Sequence, residues 1–164
     1  MEMLISAPVS RWEILLGKTV PYILIGVIDV PLVLFVAVGW FGVPMRGSFW
    51  VLVLAAVLFV IAASSVGTLI STLARNQQQA MMGSFMFMLP AILLSGIMFP
   101  LENMPKVVVG ITYLNPLRYF VTVLRNIMLK GGDASVVFLN LAALAALAAA
   151  AAVMSYSRFR QTLN

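Results

Sequence analysis

The tripeptide Gly17-Lys18-Thr19 has the residue types that close a phosphate-binding loop. That loop also needs a glycine five residues earlier and a strand leading into it, so that backbone N–H groups cradle the phosphates. The earlier position is Trp12. The cradle cannot form, and nothing else in the chain offers a route to ATP. Other reactive types are scarce. There is no His and no Cys, which removes serine hydrolase triads, thiolate nucleophiles and most transition-metal sites. The acids are Glu2, Glu13, Asp29, Glu102 and Asp133. Only Asp29 sits inside a long apolar run, so a carboxylate dyad within the membrane is not expected. No catalytic residue, bound cofactor or metal is expected.

Asp29 lies about ten residues into that run, about 15 Å deep at 1.5 Å per residue. A charge at such depth costs at least about 2.5–3.5 kcal/mol. It must be neutralised, hydrogen-bonded or turned to a wet cavity. Two readings stay open: a pathway or proton-coupling residue, or a polar contact with a neighbouring helix. A second candidate wall is the run containing Met81, Met82, Met86, Met88 and Met98 with Phe85 and Phe87. Methionine-rich surfaces adapt to varied apolar partners, although the same residues also serve as lipid-facing or core filling. Pro90 removes a backbone donor and should kink that helix.

These residues need elements to hold them. The chain has 164 residues, 63% of them hydrophobic and 9% charged, and a mean hydropathy of +1.09. A soluble domain is about 45–50% apolar and about 25% charged, so a multi-pass membrane protein is expected. The net charge is +5, but the ten basic residues are scattered between apolar runs. They read as membrane-flanking charge, not as a nucleic-acid surface. Four runs reach the roughly 20 apolar residues that a spanning helix needs: 19–40, 49–73, 80–99 and 136–156. Open sheet edges cannot survive in lipid, so the fold class expected is all-α, in one transmembrane domain over 1–164. Within 49–73, Ala63, Gly67 and Ser71 repeat beside Ser64, Thr68 and Thr72. Such stripes read as a packing face with hydroxyls bonding across helices. The Ala-rich tract at 142–152 reads as close helix packing.

Counting Lys and Arg leaves the two sides equal, but setting aside 101–130 leaves five against one. Both termini are placed in the cytoplasm. Ser10-x-x-Glu13 is a capping box that follows a break at Pro8. Segment 100–134 reads as an outer hairpin of two short helices, or one helix lying on the surface. Pro100 and Pro105 divide its first half. Asn115-Pro116 is an N-cap followed by Pro at the first helical position, and Gly131-Gly132 closes the helix. Leu117, Phe120, Val121, Leu124 and Met128 form one face, with Arg118 and Arg125 on another. This helix is too short and too charged to span; it should lie in the interface or dip in and return.

Three runs carry a family resemblance: LISAPVSRWEILLGKTVPY at 4–22, ISTLARNQQQAMM at 70–82, and LLSGIMFPLENMPKVVVGITYLNPLRYFV at 93–121. In order and type they resemble ABC-2 type transporter permeases, with the multidrug-type branch of bacterial exporters the nearest in look. The resemblance covers the C-terminal part of such a permease: its cytoplasmic coupling segment and helices three to six. Helices one and two and the external domain have no counterpart here. It implies a multi-pass protein of the bacterial cytoplasmic membrane that works with a cytoplasmic ATPase subunit, which binds the ATP, and with a second permease subunit. It also implies that 1–18 is a coupling segment whose ATPase-facing surface includes Ser6, Pro8, Ser10, Arg11 and Glu13. Likewise Pro100, Glu102, Pro105, Asn115, Pro116, Arg118 and Tyr119 fall in the outer hairpin that helps close the exit. The expected function is export of apolar or amphipathic small molecules. A permease for a lipid-linked glycan, or a truncated scaffold that does not transport, are the alternatives.

Overall fold

The computed structural model describes residues 11–100 and 103–162. Among them the chain forms six α-helices and no strand: α1 (Arg11–Gly39), α2 (Phe49–Leu73), α3 (Gln77–Leu93), α4 (Lys106–Thr112), α5 (Pro116–Leu129) and α6 (Ala134–Thr162). Three are long and apolar enough to cross a membrane, over Val20–Gly39, Phe49–Leu73 and Ala134–Ser157. These are the first, second and fourth expected spans.

The third differs. α3 starts ahead of residue 80 and stops well before 99. At 17 residues it is about 25 Å long, short of a hydrocarbon core of about 30 Å. Its start is fixed by Asn76-x-x-Gln79. Asn76 Oδ1 accepts from the Gln79 N–H at 2.7 Å, and Gln79 Oε1 accepts from the Arg75 N–H at 2.9 Å. Its end is fixed by Ser95 and Gly96. Ser95 Oγ donates to the Ile92 carbonyl at 2.6 Å and accepts from the Ile97 N–H at 3.2 Å. Gly96 takes φ +85°, where a side chain would be strained. Hydropathy runs on through Ile97-Met98-Phe99 and hides this stop. By length and composition alone three helices qualify as spans, or four if the bent pair α4–α5 is counted as one; α3 lies at the short end of spanning length.

α2 is the hub, packing against α1, α3, α5 and most extensively α6. Both helices bury small residues: Ala55, Ala56 and Ala62 on α2, and Ala148 and Ala151 with Leu144 on α6. Close backbone approach is the main route to packing in lipid, where the hydrophobic effect between helices is absent. The core proper is Leu34, Leu52, Ala55, Val123, Ile127, Met128 and Val137. It joins α1, α2, α5 and α6 near the end of the bundle where α2 and α6 begin.

α5 does not lie flat on the membrane. Phe120 stacks on Phe59 with ring centroids 5.0 Å apart. Phe59 is ten residues into α2, about 15 Å below its start. At the other end of α5, Ile127 presses on Gly47, just before α2: a Cβ there would sit 3.0 Å from Ile127 Cγ2 and from its carbonyl oxygen. So α5 climbs beside α2 from mid-depth to the rim. The expected stripe is also wider than the sequence face, since Val123 and Ile127 are buried as well. α4 meets α5 at a bend of 89°, and Pro100 lines one cavity with Lys130 and Asp133 at the rim. By its shape the bent pair is a broken span or a re-entrant loop; the contacts of Phe120 and Ile127 favour a dip and return.

This path places Asn103 and Asp133 at one end of the bundle and Gln78 at the other. In the natural background without cysteine, Cys at 103 and at 133 should react with an impermeant thiol reagent from the same side, and Cys at 78 only from the opposite side. Reaction of 103 and 133 from opposite sides would show that the α4–α5 pair crosses.

Candidate functional site

Gly26 sets the geometry of the first candidate site. A Cβ at Gly26 would lie 2.7 Å from Val60 Cγ2, so any larger residue would force Val60 or the helix to shift. Around this contact the two helices frame a cavity of about 610 Å³. α1 contributes Tyr22, Ile25 and Asp29; α2 contributes Phe59, Ala63, Ser64, Gly67, Thr68 and Ser71. The cavity lies in the half of the bundle away from the core. Asp29 is exposed to it and makes no hydrogen bond with any described residue. Among the described residues no helix contact satisfies it.

The small-residue stripe on α2 behaves differently from the sequence reading. Gly67 has nothing within 4 Å of its Cβ position, and Ala63 and Ser71 are exposed. Among the described residues nothing covers the stripe. Nor do its hydroxyls bond across helices. Ser64 Oγ donates to the Ile61 carbonyl at 3.2 Å, Thr68 Oγ1 to Ser64 at 2.9 Å, and Thr72 Oγ1 to Leu69 at 2.8 Å. Each donor is satisfied one turn back on its own helix. Their oxygens still have acceptor capacity, and those of Ser64 and Thr68 belong to residues that line the cavity.

Met86 and Pro90 are not brought to Asp29. Met86 is 81% exposed on α3, which has no buried residue. The Met/Phe surface is therefore not core filling. α3 touches α2 through another close approach, where a Cβ on Gly83 would meet Ile70 Cγ2 at 2.9 Å.

The second site is the elbow between α4 and α5. Asn115 is buried and works in two directions. Its Oδ1 accepts from the Leu117 N–H at 3.1 Å, capping α5 as expected. Its Nδ2 donates to the Ala91 carbonyl in the last turn of α3 at 2.7 Å. Pro116 follows at the first helical position and is buried. Arg118 turns back on the chain. It donates to Thr112 Oγ1 and to the Val109 carbonyl at 3.5 Å, and its guanidinium lies 4.1 Å from the centre of the Tyr113 ring. Tyr119 Oη donates to the Tyr113 carbonyl at 3.0 Å. Arg118 and Tyr119 thus bind the end of α4, whose final carbonyls have no helical partner. Pro105 precedes α4 at its N-cap position, and Pro100 lines the cavity at the rim.

Ser6, Pro8, Ser10 and Glu102 lie outside the described residues, as do the side chains of Arg11 and Glu13. The backbone of Arg11 and Glu13 belongs to α1, which runs unbroken through Pro21 and Pro31. Among the described residues no cluster of acids could hold a metal ion.

Residues 1–129 match the ABC-2 type transporter family. The chain belongs to that family. It is 34% identical over 161 residues to the probable multidrug ABC transporter permease YbhR of Escherichia coli K12, covering 98% of this chain and 44% of the relative. It is 40% identical over 144 residues to the probable multidrug ABC transporter permease YbhS of the same strain, covering 85% and 37%. It is 30% identical over 166 residues to the inner membrane transport permease YhhJ of that strain, covering 100% and 44%. The chain thus spans less than half the length of these curated relatives. No solved structure matches it.

This ABC-2 chain also holds site residues that its sequence did not mark. Thr112 and Tyr113 are as much part of the elbow as Arg118, and Tyr22 and Phe59 are as much part of the groove as Asp29. Thr112-Tyr113 precedes Arg118 by less than two helical turns, but the bend that aims one at the other has no periodic signal. Replacing Arg118 by Ala should cost about 1.5–3 kcal/mol, read as lowered resistance to thermal unfolding in detergent. Arg118→Lys should recover part of the loss, and Tyr113→Phe almost all of the wild-type value, because the ring face is kept. An Arg118→Ala protein as stable as wild type would mean that the elbow does not depend on this side chain.

Proposed function

We propose that this ABC-2 chain is the membrane-spanning permease part of an exporter in the bacterial cytoplasmic membrane, moving apolar or amphipathic small molecules. A separate cytoplasmic ATPase subunit binds ATP and drives it, and a second permease subunit completes the pathway. The reading rests on family membership and on one geometric observation: the α1–α2 groove is mostly apolar but carries one carboxylate and a few hydroxyls. Small-molecule sites have this character, mostly apolar walls with a few convergent polar groups. A glycan would need many more hydrogen-bond partners than Asp29, Tyr22, Ser64, Thr68 and Ser71 provide, so the glycan alternative is the weaker reading. The exposed Met/Phe face of α3, with Met86 and Pro90, supplies a second adaptable surface for the same class of cargo.

On this proposal the ATPase meets Ser6, Pro8, Ser10, Arg11 and Glu13. Its motion enters α1, and α1 carries it without a linker to the wall of the groove. The hairpin over 100–134 shapes the exit.

Gly67→Leu tests the groove, since the added side chain enters open space. In the full-length permease reconstituted with its ATPase, this change should reduce ATP-driven efflux of a lipophilic cationic dye by roughly tenfold, an effect of about 1.4 kcal/mol. Membrane expression and co-purification of the second subunit should persist. Unchanged efflux would remove the groove from the pathway. Loss of co-purification would instead show that the small-residue stripe is a subunit contact.

A further inference from the structure

The polar groups of the α1–α2 groove are unbalanced in sign. Asp29 sits near the middle of the Val20–Gly39 span. A carboxylate at such depth is costly unless it meets a partner. No Lys or Arg lines the groove, and among the described residues Asp29 forms no ion pair and no hydrogen bond. It is exposed, so its oxygens can be reached from the groove.

The hydroxyls add an independent observation. A hydroxyl has one proton and two lone pairs. Ser64 Oγ spends its proton on the Ile61 carbonyl, and Thr68 Oγ1 spends its proton on the Ser64 carbonyl. Toward a ligand both oxygens can only accept. The donors left in the lining are the hydroxyls of Tyr22 and Ser71. Tyr22 and Phe59 also bring aromatic rings to the wall, and a ring face attracts positive charge. An anion would therefore meet a carboxylate, two lone-pair surfaces and two rings, with a pair of neutral donors to set against them. A cation supplies the partner that Asp29 lacks.

Size and wall chemistry narrow the class. The cavity of about 610 Å³ falls within the range of small-molecule sites, roughly 300–1,000 Å³. A bare metal ion would need several oxygen ligands close around it, and the groove has a single acid. Ile25, Val60 and Ala63 give it apolar walls. We propose that the groove selects lipophilic monocations, with the positive group paired to Asp29 and the apolar body along Ile25, Val60 and Ala63. This names the cargo class of the exporter proposed above and rests on that reading.

The test is a charge series on one fluorophore. A dansyl group carries a five-carbon chain that ends in a primary ammonium, in the neutral acetamide of that amine, or in a carboxylate. Each compound is titrated by fluorescence anisotropy against the full-length permease with its ATPase, held in nanodiscs of phosphatidylcholine, a lipid without net charge. The ammonium should bind roughly tenfold more tightly than the acetamide, as one charged hydrogen bond implies, and the carboxylate more weakly than either. Asp29→Asn should bring the ammonium and the acetamide to the same Kd, whereas Asp29→Glu should keep the preference. Equal affinities across the series in the wild-type complex would overturn the proposal without any variant. The same result is expected if a basic side chain elsewhere in the complex already pairs with Asp29. An Asp29→Asn complex that keeps the tenfold preference would overturn it too. ATP-driven efflux separates this inference from the exporter reading. Equal affinities, together with efflux of the amine that Gly67→Leu reduces, would refute cation selection and leave the exporter standing. Absence of both binding and efflux for all three compounds would refute both.

Discussion

A polar group left unpaired in hydrocarbon costs several kcal/mol, and the region between α3 and α5 breaks the helical ladder in the middle of that medium. The break survives because side chains replace the backbone bonds that it removes. Asn115 is central to this. Through one amide it closes the last turn of α3 at Ala91 and the first turn of α5 at Leu117. Arg118 then occupies the end of α4, and Pro116 gives up only an N–H that the first helical turn would leave unused. With these contacts in place α5 can lean on α2 and α6 and complete the core. Without them the buried carbonyls would favour a straight helix or expulsion to the surface.

The core in turn makes the molecule uneven along its length. Toward the rim, α1, α2, α5 and α6 share buried residues from Leu34 to Val137. In the other half α2 and α6 bury Ala62, Ala148 and Ala151, and among the described residues α1 approaches α2 closely at Gly26. The α1–α2 groove is the direct result. An ABC-2 chain that spans less than half of its relatives' length also has apolar surfaces without partners, among them the Met/Phe face of α3.

Much of this was legible in the residues. Composition and run length gave an all-helical membrane protein, and the three long spans follow the apolar runs closely. The Asn115-Pro116 start and the Gly131-Gly132 stop of α5 were readable because caps are local chemistry. The third run misled because hydropathy measures transfer to lipid and not helix continuity: Ile97-Met98-Phe99 are apolar yet follow a Ser95-Gly96 stop. The Asn76-x-x-Gln79 cap was present in the sequence and would have set the start of α3 correctly. The elbow and the groove were legible only in part. Asp29 and Arg118 stand out as charges in apolar surroundings, but their surroundings depend on how separate helices cross, and helical periodicity carries no information on that. The stripe of Ala63, Gly67 and Ser71 announced a close contact that no described residue makes.

α1 can also be considered as a mechanical part. It is a single rod of 29 residues, clamped over its outer portion by Val30, Leu34 and Ala37 in the core and resting against Val60 at Gly26. From Gly26 back to Arg11 the helix continues for about 22 Å at 1.5 Å per residue. A push on the Arg11 tip of such a rod bends it most where it is held. The support here is the stretch from Gly26 to Pro31, which contains Asp29 and a proline that has removed one hydrogen bond from the helix wall. A small sideways stroke at the tip is therefore converted into flexure beside the one carboxylate that faces the groove.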